Sequence, residues 1–189
     1  MLEIRWHGRG GQGVVTAAKF LTDLALSENK YFQAFPEYGA ERMGAPIQAF
    51  TRIDDKPINI RTGIRNPDVV VIVDATLIGS VDVLNGLKEN GIIVINTPET
   101  PSDMRKALKI ESAPYRVYTV NATHIALETL GRPIPNAPMI GALVKATNLA
   151  PIEVVLDFLK KAFSKKFSEE IVNGNIEAAR RAYEEVQEG

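Results

Sequence analysis

The sequence predicts a single α/β domain in which helices cover both faces of a mostly parallel β-sheet. Two apolar runs, VVVIVDA at residues 69–75 and IIVIN at residues 92–96, have the composition of strands that are buried on both faces. Helical patterns alternate with strands through the middle of the chain, which favours crossover connections between parallel strands. With 189 residues, 45% of them hydrophobic, the chain can build one core but not two, so residues 1–189 are predicted to form one domain.

Alternating and periodic patterns predict the other elements. LEIRW at residues 2–6 alternates as a strand does, and the apolar residues from Val14 to about Leu26 follow helical spacing. Further strands are predicted at 31–35 and 115–121, and IQAFTRI and INIR are predicted to pair as a β-hairpin around the turn DDKP. The remaining helices are predicted at about 79–89, within 100–110, at 122–130, at 139–149, at 151–163 and at about 168–187.

Composition excludes several classes of function. Lys plus Arg number 22 and Asp plus Glu number 23, so the net charge of -1 offers no field for nucleic acid or an anionic membrane. The absence of cysteine excludes disulfides, a thiolate zinc site and any iron–sulfur cluster ligated by this chain. Two histidines leave little for a metal site. With no signal core and no apolar stretch of 18 residues, a cytoplasmic protein is expected.

The segment HGRGGQG, residues 7–13, has the strongest functional signal in the sequence. It matches G-x-G-x-x-G at a predicted strand-to-helix turn, where the first glycine permits the bend, the second admits a pyrophosphate and the third lets helix and strand pack closely. Free N–H groups and the helix dipole favour an anion there, and Arg9 adds a positive charge. A glycine corner that only packs is the alternative. Gln12 either hydrogen-bonds a ligand or braces the loop.

An NAD(P)-dependent oxidoreductase is one enzyme hypothesis for this loop. It requires an acidic residue about 20 residues further on to bind the ribose, and Glu37 lies at that distance. However, the second strand leads into PEYGAERMGAP and a hairpin, whereas a dinucleotide fold has a helix there. No hydride-transfer constellation is evident, since His124 stands alone on an amphipathic helix, where a packing role is expected. The stand-alone dehydrogenase therefore ranks second.

A second constellation lies in PEYGAERMGAP, residues 36–46, which places Glu37, Glu41 and Arg42 in one glycine-punctuated loop, with Arg52 and Arg61 beyond it. A solvated charged loop is the alternative interpretation. Together, GRGGQGVVTAAKFL, PEYGAERMGAPIQAFTRI, PDVVVIVD and NAPMIGAL resemble the gamma subunits of 2-oxoacid:ferredoxin oxidoreductases, most closely those of pyruvate:ferredoxin oxidoreductase (pyruvate synthase). The resemblance runs from residue 4 to about residue 160.

The resemblance implies a Rossmann-like fold and a role in a complex of several chains. Such complexes convert pyruvate, coenzyme A and oxidised ferredoxin to acetyl-CoA, carbon dioxide and reduced ferredoxin, and the reaction is reversible. It implies partner subunits of alpha, beta and delta type, which hold thiamine diphosphate, Mg²⁺ and [4Fe–4S] clusters. The gamma chain is associated with coenzyme A, which the family's enzymes use as a substrate, and is expected to be inactive alone.

The resemblance also suggests which residues contact coenzyme A. The expected set is Gly8, Arg9, Gly10, Gly11, Gln12, Gly13, Glu41 and Arg42, with no catalytic residue and no metal ligand in this chain. Alternatively, Glu41 and Arg42 face a partner subunit. Asn121 and Asn136 either border the same cleft or cap helices, and capping is favoured for Asn121. A nucleotide-sensing or scaffold module without acyl transfer is a third hypothesis. The 2-oxoacid and the stoichiometry stay open.

Overall fold

The computed structural model describes residues 1–27, 30–37 and 44–189, which form a seven-stranded mixed sheet and six α-helices. The strands are β1 (Leu2–Arg9), β2 (Tyr31–Glu37), β3 (Pro46–Asp54), β4 (Val69–Ile72), β5 (Ile92–Asn96), β6 (Arg116–Val120) and β7 (Gln187–Glu188). The helices are α1 (Val14–Ser27), α2 (Pro101–Ala107), α3 (Ala122–Leu130), α4 (Asn136–Thr147), α5 (Ile152–Phe163) and α6 (Glu169–Glu185).

The sheet has a parallel centre and antiparallel edges. Its order is β2-β3-β1-β4-β5-β6-β7, and the pairs β1–β4, β4–β5 and β5–β6 are parallel. β2 and β3 form an antiparallel hairpin on one side, and β7 adds an antiparallel strand on the other. The predicted α/β class and the Rossmann-like sheet with mostly parallel strands are therefore confirmed, whereas the hairpin is formed by other strands than the sequence predicted.

Apolar side chains of β4 and β5 alternate between two cores, one on each face of the sheet. Val69 and Val71 face the core shared with α1, α3, α4, α5 and α6, whereas Val70 and Ile72 face a smaller core with Met104 of α2. All four valine and isoleucine side chains of β4 are fully buried, as expected for a central parallel strand. The predicted three-layer arrangement follows, with one thick and one thin outer layer.

The helix predicted at 79–89 is wrong. After β4 the chain forms a short 3₁₀ turn, Ala75–Leu77, and then a series of turns. Gly79 and Gly86 have φ angles of 87° and 71°, which a right-handed helix does not allow. The side chain of Arg5, buried on β1, donates Nη2 to the carbonyls of Val83 (3.1 Å) and Asn85 (2.6 Å) and holds these turns against the sheet.

The hairpin predicted around DDKP is also wrong. INIR is not a strand, and β3 pairs with β2, where Phe35 lies opposite Phe50. The last helix agrees with its predicted bounds to within two residues: it ends at Glu185, Val186 is extended, and the next two residues pair with β6. Among the helices of the described ranges, none is long and apolar enough to cross a membrane.

Candidate functional site

The glycine loop, residues 8–13, lies where the central strand β1 leads into α1. The sequence predicted this strand-to-helix position, and the structure confirms it. The sharp turn belongs to Gly11 and Gly13, with φ angles of 97° and 76°. Gly8, the first glycine of the motif, still belongs to β1. A Cβ there would come within 2.5 Å of Val14 Cγ2. Close packing of the strand against α1, which the sequence assigned to the third glycine, Gly13, therefore depends on Gly8.

The N-terminus of α1 presents backbone donors at this loop. The first α-helical hydrogen bond runs from the Ala17 N–H to the Gly13 carbonyl at 2.9 Å. Within the described ranges, the N–H groups of Gly11, Gly13 and the first turn of α1 have no recorded protein acceptor. Free N–H groups at the positive end of a helix dipole favour an anion.

The side chain of Gln12 braces the loop. Its Oε1 accepts a hydrogen bond from the Arg9 N–H at 2.8 Å, and its Nε2 donates to Asp74 Oδ2 at 2.7 Å. Of the two roles that the sequence left open for Gln12, these contacts supply the structural one. They tie the loop to the end of β4, which lies next to β1 in the sheet.

Arg9 makes three contacts to the same region. Its Nε lies 3.2 Å from Asp74 Oδ2, Nη2 donates to Thr76 Oγ1 at 3.0 Å, and Nη1 donates to the Gly44 carbonyl at 3.0 Å. The guanidinium is therefore engaged by protein groups, although the side chain keeps about a third of its surface exposed. Arg9 connects the glycine loop to the segment that enters β3.

Asp74 is a site residue that the sequence reasoning missed. It lies two residues after the end of β4, at the carboxyl end of the strand beside β1, where the strand order reverses. Burial raises the pKa of its carboxyl, but hydrogen bonds from Thr76 and Gln12 and the charge of Arg9 outweigh this and hold it below its ordinary value. The sequence shows only an acidic residue shortly after a buried strand, and the partners that make it a site residue are 62 and 65 positions away.

Glu41 and Arg42, the other predicted site residues, lie outside the described residues. The segment is described again from Gly44, and its entry into β3 touches the glycine loop. Besides the contact between Arg9 and Gly44, the Gly10 N–H donates to the Ala45 carbonyl at 3.3 Å. The two sequence motifs are thus adjacent at the point where residues 44 and 45 meet the loop.

A cleft of about 790 Å³ opens on the other side of the glycine loop. Gly11, Gly13 and Thr16 line it together with Arg132, from the connection between α3 and α4, and Asn136 at the start of α4. Arg132 is exposed and brings a positive charge to the lining. A volume of this size lies within the range of small-molecule and cofactor sites.

The floor of this cleft is apolar. Phe163 and Phe167 stack edge to face with ring centroids 5.6 Å apart, and Ile134 and Ile171 line the same space. Phe167 and Ile171 are exposed by 48% and 39%, so two large apolar side chains of this lining are open to solvent. The cleft therefore combines the anion-favouring N–H groups and Arg132 with apolar side chains, and the side chains of Glu128 and Glu170 also line it.

The two asparagines behave differently. Asn121 caps α3, because its Oδ1 accepts the His124 N–H at 3.2 Å, which confirms the favoured interpretation. Asn136 begins α4 and borders the cleft, and it packs so closely on the glycine loop that a Cβ at Gly13 would lie 2.9 Å from its side chain. His124 is exposed and lies 3.3 Å from Glu128.

Glu37 is poorly placed for a ribose. It ends β2, and β3 separates that strand from β1, so Glu37 lies two strands away from the glycine loop. In a dinucleotide fold the second strand is the direct neighbour of the first, about 5 Å away. The sheet order therefore weakens the NAD(P) hypothesis.

His7 begins the motif but is buried, with 1% of its surface exposed. Its Nε2 accepts a hydrogen bond from Arg5 Nε at 3.0 Å, so the imidazole is neutral. Burial and the adjacent Arg5 charge lower the pKa of His7 to about 4, although a hydrogen bond with the backbone of Val83 opposes them. His7 is therefore a structural residue that fixes β1 against the turns after β4.

This pKa predicts an acid-sensitive stability. Below pH 6.5 the unfolded chain protonates His7, whereas the folded chain does so only near pH 4, so stability falls as the pH is lowered through that window. The loss amounts to about 3 kcal/mol. Denaturant unfolding of wild type and His7→Gln between pH 7.5 and 4 measures it, because carboxylate titrations common to both cancel in the difference. Parallel pH profiles would contradict the assignment.

Comparison with known proteins gives the family of the chain. Residues 3–185 match the family model described as pyruvate ferredoxin/flavodoxin oxidoreductase. The chain is 51% identical to the pyruvate/ketoisovalerate oxidoreductases common subunit gamma of Pyrococcus abyssi, over 99% of this chain and 98% of that protein.

Two solved structures share the fold. The pyruvate oxidoreductase subunit PORC of Thermotoga maritima matches with a TM-score of 0.87 and 44% identity, over 100% of this chain and 98% of that chain. A 2-oxoglutarate:ferredoxin oxidoreductase from Magnetococcus marinus, solved with 2-oxoglutarate, coenzyme A and succinyl-CoA bound, matches with a TM-score of 0.73 and 19% identity, over 97% of this chain and 31% of that one. The family model and the close relatives agree: the chain belongs to the pyruvate ferredoxin/flavodoxin oxidoreductase family, as a gamma subunit.

Proposed function

We propose that this gamma subunit contributes to coenzyme A binding and to subunit assembly in a cytoplasmic complex. The complex converts pyruvate, coenzyme A and oxidised ferredoxin to acetyl-CoA, carbon dioxide and reduced ferredoxin. Partner subunits of alpha, beta and delta type hold the thiamine diphosphate, the Mg²⁺ and the [4Fe–4S] clusters, and the chain alone is inactive. This assignment of cofactors is supported by the lack of any cysteine in this chain, since thiolates are the usual cluster ligands.

The observation that carries the coenzyme A proposal is the position of the α1 N-terminus. Gly11, Gly13 and Thr16, whose N–H groups have no protein acceptor among the described residues, line a cleft of about 790 Å³, and Arg132 lines the same cleft. Coenzyme A combines phosphates with an apolar pantetheine arm and an adenine ring. The anion-favouring N–H groups and the apolar floor of the cleft match these two kinds of group.

The chemical contribution of such binding is positioning. The phosphates are held by the glycine loop, with Gly8, Arg9, Gly10, Gly11, Gln12 and Gly13 as its members, and Glu41 and Arg42 complete the proposed set. Fixing the nucleotide end restricts the motion of the thiol before it meets the intermediate on a partner subunit. Because the reactant has already lost much of its translational and rotational freedom on binding, the entropic part of the reaction barrier is smaller.

Substitution of Thr16 tests the proposal, because Thr16 is exposed in the first turn of α1 and lines the cleft. The helix dipole stabilises the carboxylate of Thr16→Glu near the N-terminus of α1, so the variant should keep the fold. The same carboxylate repels a phosphate that binds these N–H groups. We expect the apparent KM of the complex for coenzyme A to rise about tenfold or more, since a charge–charge contact near the surface is worth about 1 to 2 kcal/mol.

The matched control is Thr16→Gln, because a glutamine side chain has nearly the same size as a glutamate side chain but no charge. It should leave the KM for coenzyme A within about threefold of wild type, because less than 1 kcal/mol is at stake. The KM for pyruvate should be unchanged in both variants. If Thr16→Glu binds coenzyme A as wild type does, the nucleotide lies elsewhere and the proposal fails. Calorimetric titration with NADH beside coenzyme A separates the NAD(P) alternative.

A further inference from the structure

The carboxylate of Asp74 holds together four polar groups from two sides. Its Oδ1 accepts the Thr76 N–H at 2.9 Å and the Thr76 hydroxyl at 2.6 Å, which caps the 3₁₀ turn after β4. Its Oδ2 accepts Gln12 Nε2 at 2.7 Å and lies 3.2 Å from Arg9 Nε. The two oxygens therefore serve different purposes, since only Oδ2 points at the glycine loop.

The contacts of Asp74 Oδ2 affect the chain beyond the glycine loop, because they also reach the segment that enters β3. Arg9, oriented by Asp74 on one side, donates on the other side to the Gly44 carbonyl at 3.0 Å. Gln12, held by the same oxygen, fixes the Arg9 backbone through its Oε1 at 2.8 Å. The carboxylate therefore determines both the shape of the glycine loop and the position at which the chain enters β3.

Capping alone does not require a carboxylate with this geometry. An asparagine at position 74 supplies one oxygen for Thr76, and many 3₁₀ and α-turns are capped in that way. The second oxygen accepts from a guanidinium and an amide, and such charge-assisted contacts are roughly twice as strong as neutral ones. The side chain of Asp74 is only 12% exposed, so water replaces these contacts poorly.

We propose that Asp74 is a positioning residue for coenzyme A, which acts through Arg9 and Gln12. It keeps the N–H groups of the glycine loop aimed at the cleft and keeps residues 44 and 45 against that loop. The inference rests on the proposed function, since it takes the glycine loop as the phosphate site. Asp74 touches neither the cleft lining nor the ligand.

The test is Asp74→Asn in the reconstituted complex with its partner subunits. The variant keeps the cap on Thr76 and loses the acceptor for Arg9 and Gln12. We expect the apparent KM for coenzyme A to rise about tenfold while kcat stays within about twofold, because the loop loses its ordered arrangement and the reacting groups lie on other chains. Hydrogen exchange of the peptides that cover residues 9–16 and 44–46 should become faster.

Asp68→Asn is the matched control. Asp68 lies at the opposite end of β4, where it accepts from the Glu3 N–H and from Lys88 Nζ, each at 2.8 Å, far from the glycine loop. The same chemical change there should leave both the KM for coenzyme A and the exchange at residues 9–16 as in wild type. A purely structural effect of losing a carboxylate on this strand would instead appear in both variants.

A reciprocal exchange provides a rescue. In Asp74→Asn combined with Gln12→Glu, the amide and the carboxylate change places, so a negative charge again faces Arg9 and one hydrogen bond joins the two residues. We expect hydrogen exchange of the peptides that cover residues 9–16 and 44–46 to return to the wild-type rate, which is the readout of this variant because a carboxylate at position 12 also repels a phosphate. Exchange as fast as in Asp74→Asn alone would contradict the positioning role.

Two further results would overturn the inference: an unchanged KM in Asp74→Asn, or a raised KM with no change in hydrogen exchange. Failure of the proposed function can be distinguished from failure of this inference, because Thr16→Glu would then also leave the KM for coenzyme A unchanged. If Thr16→Glu raises the KM and Asp74→Asn does not, the nucleotide site stands and the positioning role of Asp74 is wrong.

Discussion

Replacement of Gly141 by alanine is expected to lower the free energy of unfolding by about 3 kcal/mol or more. Gly141 lies in the middle of α4, where α6 crosses it at close range. A Cβ at this position would lie 2.0 Å from the carbonyl oxygen of Ala179 and 2.8 Å from its carbonyl carbon. Both are backbone atoms, so no rotamer change relieves the clash and the two helices must separate.

The neighbours of Gly141 explain why separation is costly. Ala142 on α4 and Ala178, Ala179 and Ala182 on α6 are fully buried, so the two helices meet through small side chains over their length. Moving the two helices apart opens gaps along their contact, and each methyl group that loses its neighbours loses dispersion energy. The better helix propensity of alanine returns only about 1 kcal/mol.

Gly63→Ala is the matched control. The nearest atom to a Cβ there is Phe50 Cζ at 3.4 Å, an ordinary contact, and the backbone has no positive φ. We expect its stability to stay within about 1 kcal/mol of wild type. Urea unfolding of the two variants makes the comparison. A Gly141→Ala protein of wild-type stability would mean that α4 and α6 do not approach as closely as described.

The crossing also supports the cleft. α4 begins at Asn136, which packs on Gly13, and α6 contributes Ile171 and Asn175 to the lining. A shift between α4 and α6 therefore changes the geometry of this lining. In the complex, Gly141→Ala should raise the KM for coenzyme A as well as lower stability, whereas Gly63→Ala should do neither.

Local patterns predicted the elements that depend on local interactions. The strand at 92–96 has the predicted bounds, and α2 begins after Thr100, whose hydroxyl accepts the Asp103 N–H as an N-cap. α3 ends at Gly131, which takes the left-handed conformation expected of a C-terminal glycine. In each case the residues that define the boundary lie within a few positions of it.

The wrong predictions, the helix at 79–89 and the hairpin around DDKP, have a common physical cause: contacts with residues far away in the sequence determine these structures. Val81, Leu84 and Leu87 are spaced as in a helix, but Arg5, almost 80 residues away, holds the carbonyls of this segment in turns. The pairing of β2 with β3 likewise depends on the sheet order. Periodicity reports burial on one side, and an irregular segment that packs on a sheet has that pattern too.

The same distinction applies to the site. The glycine loop was predictable, because a glycine-rich turn between a strand and a helix is a local feature. Asp74 was not, because its role depends on Gln12 and Arg9, which are 62 and 65 positions away and become neighbours only through the pairing of β1 with β4. Arg52 illustrates the opposite error: the sequence grouped it with the charged residues of a functional loop.

Arg52 is instead buried in β3, and Arg52→Met is expected to lower the free energy of unfolding by about 4 kcal/mol. The side chain is 2% exposed, and it donates Nε to Glu3 Oε1 and Nη1 to Gln33 Oε1, each at 2.9 Å. Its guanidinium also lies 5.9 Å from the centre of the Phe35 ring. Methionine fills most of the space but leaves the Glu3 carboxylate, itself 14% exposed, with Lys88 at 3.6 Å as its remaining recorded cation within the described ranges.

Arg61→Met is the control, since Arg61 is exposed and belongs to the same group of charges in the sequence. It should change stability by no more than about 0.5 kcal/mol. The double variant Glu3→Gln with Arg52→Met separates charge from packing. If the unpaired carboxylate causes the loss, the double variant should recover about half of it. A double variant that is no more stable than Arg52→Met would place the cost in packing.

The functional consequence follows from the strand register. Arg52 lies opposite Glu3 in the pairing of β1 with β3, and the same register places Pro46 opposite Arg9. A slip of two residues would keep every side chain on its own face of the sheet but would carry residues 44 and 45 about 7 Å along β1. We therefore expect the buried ion pair to favour the alignment that brings the second motif to the glycine loop. In the complex, Arg52→Met should raise the KM for coenzyme A at a temperature where the variant is still folded, and an unchanged KM would show that the register survives without the pair.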